Sequence, residues 1–190
     1  MEEIKFFETI KCDDFEVFNL EYHNKRVANT IGLNIDLQEY IYPISGELLR
    51  CKVIYDENEI LDVQYFPYKK KKIKSFKIIN FNEIDYSKKY LNRESLNNLF
   101  KKKEDCDEVI IVKNGIITDT SIANIAIFYE AQWLTSKECL LKGTTRARLL
   151  EEKRIIEKNI NLDMLKNASQ IALMNAMIGF DIIEDYSFKI

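Results

Sequence analysis

The chain has 190 residues, enough to bury a sizeable core in one domain or in two small ones. Its 28 basic and 31 acidic residues leave a net charge of −3, so no global positive field draws in nucleic acid. No apolar run approaches the roughly 20 residues that span a bilayer, and Met1-Glu-Glu-Ile-Lys lacks the basic start and apolar middle of a signal peptide.

Cys12, Cys51, Cys106 and Cys139 are scattered without a Cys-x-x-Cys pair, which points to free thiols in a cytoplasmic protein rather than to a zinc or redox motif. Five glycines and two prolines leave little room for flexible linkers, and no internal repeat is visible.

In chain order, Ile4–Cys12 and Phe15–Phe18 read as a strand pair around the turn dipeptide Asp13-Asp14. Asn19 is placed to cap a helix from Leu20 to about Thr30, with Leu20, His23, Val27 and Ile31 on one face and Gly32 as its stop. His23, the single histidine, reads as a packed core residue on an apolar stripe rather than as a catalyst, and Arg26 shares its face, read from the residues alone as a surface ion pair. A helical turn is expected before Pro43, then a hairpin of Leu48–Tyr55 and Ile60–Tyr68 around Asp56–Glu59. Lys69–Lys72 with Lys74 is the most basic run, read as a solvated strand edge that could also attract an anionic substrate. Ile73–Asn80 reads as a strand, Phe81–Tyr86 as a connection between domains, and Arg93–Lys102 as a helix.

The most informative stretch is Asp107–Asn124. Val109–Val112 suits a strand buried on both faces. Asn114-Gly115 is the pair best able to take the left-handed angles of a tight hairpin. The returning strand carries Asp119, Thr120, Ser121 and Asn124, polar groups that must find partners between two apolar segments. Trp133–Thr135 is strand-like, a long helix is expected from about Thr145 to Lys158, Asp163 is placed to cap a short one, and Ser169–Met174 reads as a strand ending at Asn175-Ala176.

Four segments, in order, resemble the fold-type IV (class IV aminotransferase) family of pyridoxal-phosphate enzymes. Thr118-Asp-Thr-Ser-Ile-Ala-Asn124 is similar to its Thr-Glu-x-x-x-x-Asn signature, and His23-Asn-Lys-Arg26 to its His-x-x-Arg helix. Lys89-Tyr-Leu-Asn-Arg93 resembles its lysine segment, most closely that of the aminodeoxychorismate lyases, and Gly143-Thr-Thr-Arg146 its Gly-x-Thr-Arg turn. The resemblance implies an α/β (α+β) fold of two domains: a small α+β domain over 1–82, shortened at its N-terminus, and a larger, mixed barrel-like cofactor domain over 83–190. It implies pyridoxal 5'-phosphate as cofactor, carried covalently by Lys89, with Lys88 as the alternate if the register slips by one. Arg26, Thr144, Thr145 and Asn175 are the implied phosphate ligands, and Asp119 the carboxylate facing the pyridine nitrogen.

The family has glutamate at this last position, and aspartate is one methylene shorter. The implied activity is 4-amino-4-deoxychorismate lyase, on a small-molecule amino substrate. A class IV aminotransferase acting on branched-chain or D-amino acids is the alternative, and an inactive relic serving as a binding protein the third reading. A homodimer without nucleic-acid or membrane partners is expected.

Overall fold

The computed structural model describes residues 4–190, and they form a mixed α/β fold. The chain divides into two compact units: residues up to Lys70 with Lys88–Asn92, and Lys71–Ser87 with Arg93–Ile190. The sequence suggested a single cut near residue 82. Strand β5 (Ser75–Asn80) instead joins the second unit, because it is hydrogen-bonded in parallel to β6 (Glu108–Lys113) from Phe76↔Glu108 to Asn80↔Val112. The segment Lys88–Asn92 goes back to the first unit through Lys89 O, which accepts from Phe7 N at 3.0 Å, and through the bridge of Tyr90 with Phe6. The lysine run lies in no strand; the chain passes within it from the first unit to the second.

The first unit is an antiparallel sheet in the order β2-β1-β3-β4, made of β1 (Phe6–Asp13), β2 (Glu16–Val17), β3 (Leu49–Tyr55) and β4 (Ile60–Pro67). Alternation on β1 and β3 sends Phe6, Ile10, Cys12, Leu49, Cys51, Val53 and Tyr55 into one core. Helix α1 (Leu20–Ile31) adds Val27 to that core and stops at Gly32, which takes φ 78° where a side chain would be strained. Asn19 does not cap it through its side chain: it sits in the left-handed region at φ 55°, and its amide accepts nothing from the first turn. Cys12 and Cys51 are buried in that core, and all four cysteines are free thiols.

The second unit is a nine-stranded sheet whose main path is β10-β9-β8-β7-β6-β5-β13. Its strands are β5, β6, β7 (Ile116–Thr120), β8 (Asn124–Tyr129), β9 (Gln132–Ser136), β10 (Ile156–Lys158), β11 (Gln170–Asn175), β12 (Gly179–Ile183) and β13 (Ser187–Lys189). Asn114 and Gly115 both take positive φ, which closes the β6–β7 hairpin as the dipeptide suggested. Helix α2 (Glu94–Lys101) packs Leu96 and Leu99 inward. Helix α3 (Thr144–Glu151) is half the expected length. Its apolar residues do not sustain a helical stripe beyond Leu150; Lys153 turns left-handed, and Ile156–Lys158 becomes an edge strand parallel to β9. The last helix, α4 (Leu162–Asn167), is capped by Asn161, whose side chain accepts from Met164 N, and not by Asp163.

Candidate functional site

The candidate residues fall in both units: Arg26 and Lys89 in the first, Asp119, Thr144, Thr145 and Asn175 in the second. Each set has its own local architecture.

In the first unit, alternation on β1 turns Glu8 to the same face as Phe6, Ile10 and Cys12, where it is wholly buried. Two side chains one helical turn apart on α1 meet it. Arg26 donates from Nε to Glu8 Oε1 at 2.8 Å and from Nη2 to Oε2, the fork geometry that suits a carboxylate. His23, also fully buried, contacts Glu8 Oε2 through Nδ1 at 2.6 Å. Burial pushes the Glu8 carboxyl up, but the Arg26 charge and the hydrogen bonds from His23 and Arg26 outweigh it and bring the pKa down to about 2. Burial is the largest influence on His23 and lowers its pKa against the pull of Glu8; the charges of Arg26 and Lys89 push the same way. His23 is therefore a core histidine with an acidic partner, and Nε2 is buried without a hydrogen-bond partner among the described residues.

Lys88 and Lys89 are also separated here. Lys88 Nζ donates to Thr30 O at 2.8 Å and sits over the Phe6 ring, so its ammonium group serves the end of α1. The Lys89 ammonium lies over the Phe7 ring, 4.6 Å from its centroid, on the side where it also influences His23.

In the second unit, β7 and β8 pair at Asp119↔Asn124. Asp119 Oδ2 accepts from Leu141 N at 2.9 Å, and Asp119 Oδ1 from Asn124 Nδ2 at 2.7 Å. The same Asn124 amide donates to Leu141 O at 2.8 Å. Carboxylate and amide thus clamp both ends of one residue in the turn leading to α3. Asp119 is buried with no basic side chain bonded to it among the described residues; desolvation dominates and its pKa rises to about 6, opposed by the bonds from Leu141 and Asn124 and by the Arg146 charge.

Two residues further on, Gly143 passes so close that a Cβ there would lie 2.1 Å from Asn124 Oδ1. Only glycine permits this approach. Gly143 is the N-cap of α3 and brings no side-chain acceptor, which leaves the backbone N–H groups of the buried Thr144–Thr145 turn available to an anion. Buried Arg146 braces that turn from behind, donating to Ser136 O at 2.8 Å and Glu157 Oε1 at 2.6 Å. Asn175 ends β11, where Met174 pairs with Asn124; its Oδ1 accepts from Met177 N and Ile178 N, and its Nδ2 donates to Ile122 O at 3.2 Å.

Sequence reasoning missed Glu8. The available signal was an acid at a core-facing position of an alternating strand, with a histidine and an arginine spaced i, i+3 on the next helix. It also noticed Asn124 only as the end of a motif and gave it no task. Among the described residues, no three His, Cys, Asp or Glu side chains are grouped to hold a metal ion, and no helix is long and apolar enough to cross a membrane.

The fold is that of the fold-type IV pyridoxal-phosphate enzymes. Residues 64–184 match the family model for amino-transferase class IV, and the chain belongs to that family. A Haemophilus influenzae protein of uncharacterised role is 36% identical over 84% of each chain. A Schizosaccharomyces pombe protein, provisionally named an aminodeoxychorismate lyase, is 28% identical over 93% of this chain and 87% of its own. Among solved structures, a provisionally named 4-amino-4-deoxychorismate lyase from Haemophilus somnus 129PT superposes with a TM-score of 0.86 at 36% identity, over 94% of this chain and 99% of its own.

Proposed function

We propose that the protein is a pyridoxal-phosphate-dependent 4-amino-4-deoxychorismate lyase, forming 4-aminobenzoate and pyruvate. The observation that carries the cofactor reading is the clamp of Asp119 and Asn124 on Leu141. A buried acid with no cation bonded to it among the described residues, and a pKa of about 6, is tied to the glycine-tight turn that opens α3. A carboxylate of that kind fits a protonated ring nitrogen, and the Gly143–Thr145 turn fits a phosphate. The lyase reading is supported by Lys89-Tyr-Leu-Asn-Arg93 and Asn175-Ala176, and by the 36% identity to the Haemophilus somnus protein.

In this reading Lys89, Arg26, Asp119, Thr144, Thr145 and Asn175 hold pyridoxal phosphate. When bound, the cofactor supplies an electron sink conjugated to the substrate's amine-bearing carbon. Asp119 would hold a negative charge toward the cofactor's ring nitrogen, and Asn124 and Leu141 fix its oxygens so that little reorganisation would be needed as charge develops. Lys89 Nζ takes the proton from the amine-bearing carbon and returns one to the methylene of the departing enolpyruvyl group. Arg26 stays oriented by Glu8. We also assign the protein to the cytoplasm and to a homodimer. The second reading, an aminotransferase acting on a branched-chain or D-amino acid, is favoured by the breadth of the matching family.

The test is incubation of the cofactor-supplemented protein with aminodeoxychorismate. Pyruvate release without a keto-acid acceptor is the expected result. Amino exchange that requires an acceptor would replace the lyase with the aminotransferase, and neither activity would leave the relic.

A further inference from the structure

The second unit contains a cavity of about 590 Å³ that the proposed reaction does not use, within the size range of small-molecule sites. Its lining includes the exposed Lys71 and Lys72, the half-buried Arg93 and Lys103, and apolar surface from Phe100 and Ile122. Four cations thus share the lining with two acids, Asp107 and Glu108. Both acids are already engaged within the protein. Asp107 Oδ2 accepts from Lys74 N, Ser75 N and Ser75 Oγ. Glu108 is buried and accepts from Val109 N and from Ser121 Oγ at 3.0 Å. The cations are committed less fully. Arg93 spends one Nη2 contact of 2.6 Å on Ser121 O, and its Nε is buried with no hydrogen-bond partner among the described residues. Lys103 Nζ reaches Cys106 O at 2.6 Å.

We propose that this cavity is a binding site for a small planar carboxylate, its charge among Lys71, Lys72 and Arg93 and its apolar body against Phe100 and Ile122. The charge excess sets the sign of the ligand. The guanidinium fork suits a carboxylate rather than a point anion, and the aromatic wall asks for a flat body. None of the residues assigned to the cofactor lines this cavity, although Ser121 and Ile122 belong to the turn between Asp119 and Asn124, and the proposal does not rest on the lyase reading.

The test is calorimetric titration of the full chain with benzoate, with isosteric but neutral benzamide as control, with and without added pyridoxal phosphate. Saturable benzoate binding is expected, at least tenfold tighter than benzamide, equal with and without the cofactor, and weakened several-fold in high salt as the charges are screened. The double variant Lys71→Glu, Lys72→Glu alters two exposed side chains and is expected to weaken benzoate at least tenfold while leaving the protein folded. Unchanged benzoate affinity in that variant, equal binding of benzamide, or loss of binding when pyridoxal phosphate is present would each overturn the proposal.

Discussion

Asp119 and Asn124 grip opposite ends of a single residue: the carboxylate accepts the Leu141 N–H at 2.9 Å, and the amide donates to the Leu141 carbonyl at 2.8 Å. Because Asn124 also donates to Asp119 at 2.7 Å, the acid, the amide and the turn before α3 form a closed ring of hydrogen bonds. Such a ring has little slack, and Gly143 runs against its outer side. Gly143→Ala is expected to destabilise the protein by about 1–3 kcal/mol, the usual cost of forcing an atom into a packed site. Asn124→Ala removes the obstacle but orphans two acceptors, at about 1–3 kcal/mol. The double variant is therefore expected to lose less than the sum of the two, by more than about 0.5 kcal/mol in urea melts. Simple additivity would mean that Asn124 is not what excludes a side chain at 143.

The fate of Asp119 sets a pH signature. Its folded-state pKa is raised to about 6 from an ordinary 3.8, so the folded state holds the proton more tightly than the unfolded one. That contribution is fully present below about pH 4 and is lost as pH rises through 6. At about 1.4 kcal/mol per unit the loss is roughly 3 kcal/mol. Cofactor-free protein is expected to show it as a fall in melting temperature between pH 4 and 6, and Asp119→Asn to flatten that fall. A wild-type-minus-variant difference that is constant with pH would show the carboxyl titrating normally.

How much of this was readable beforehand depended on the range of the interactions. The Asn114-Gly115 hairpin, the strand at Val109–Val112 and the α1 stop at Gly32 are local, and each followed from a few neighbouring residues. The lysine run is exposed, as its charge suggested, but it lies between strands and not on one, because β5 begins only at Ser75, where it meets a parallel partner β6 some thirty residues away. The length of α3 was misjudged because Ile156–Lys158 is claimed by β9, a contact that no helical periodicity reveals. At the site, the residue types were legible from motifs, whereas their wiring was not. The Glu8–Arg26 pair and the Leu141 clamp join positions 18 and 22 residues apart.

Glu8 leaves a second signature, opposite in sign. With its pKa brought down to about 2 from 4.5, it contributes stability that is complete above about pH 4.5 and lost as pH falls through 2. Glu8→Gln leaves the Arg26 guanidinium beside a neutral group in a mostly buried place, and breaking such a pair costs about 3–5 kcal/mol. The expected result is a large drop in stability at pH 7 that shrinks steadily below pH 4.5. A loss of the same size at pH 3 as at pH 7 would assign the effect to packing rather than to charge.

Lys88 and Lys89 are neighbours in sequence with different commitments. The Lys88 ammonium is tied to the Thr30 carbonyl at 2.8 Å and lies over Phe6, so it closes the C-terminal end of α1. Lys89 anchors the segment through its backbone, its carbonyl accepting from Phe7 N, and its side chain takes the face shared with Phe7 and the His23–Arg26 helix. On the proposed mechanism Lys89→Ala is expected to abolish turnover, because one amine would there be both covalent anchor and proton carrier. Phosphate-mediated binding of the cofactor should persist in weakened form. Lys88→Ala is expected to keep most of its activity and to lose about 1 kcal/mol of stability with its hydrogen bond. Borohydride reduction followed by digestion and mass spectrometry separates the two directly. A pyridoxyl group on the peptide at Lys89 is the expected product; the same mass on Lys88 would shift the register by one, and labelling of neither would remove the covalent role from this segment.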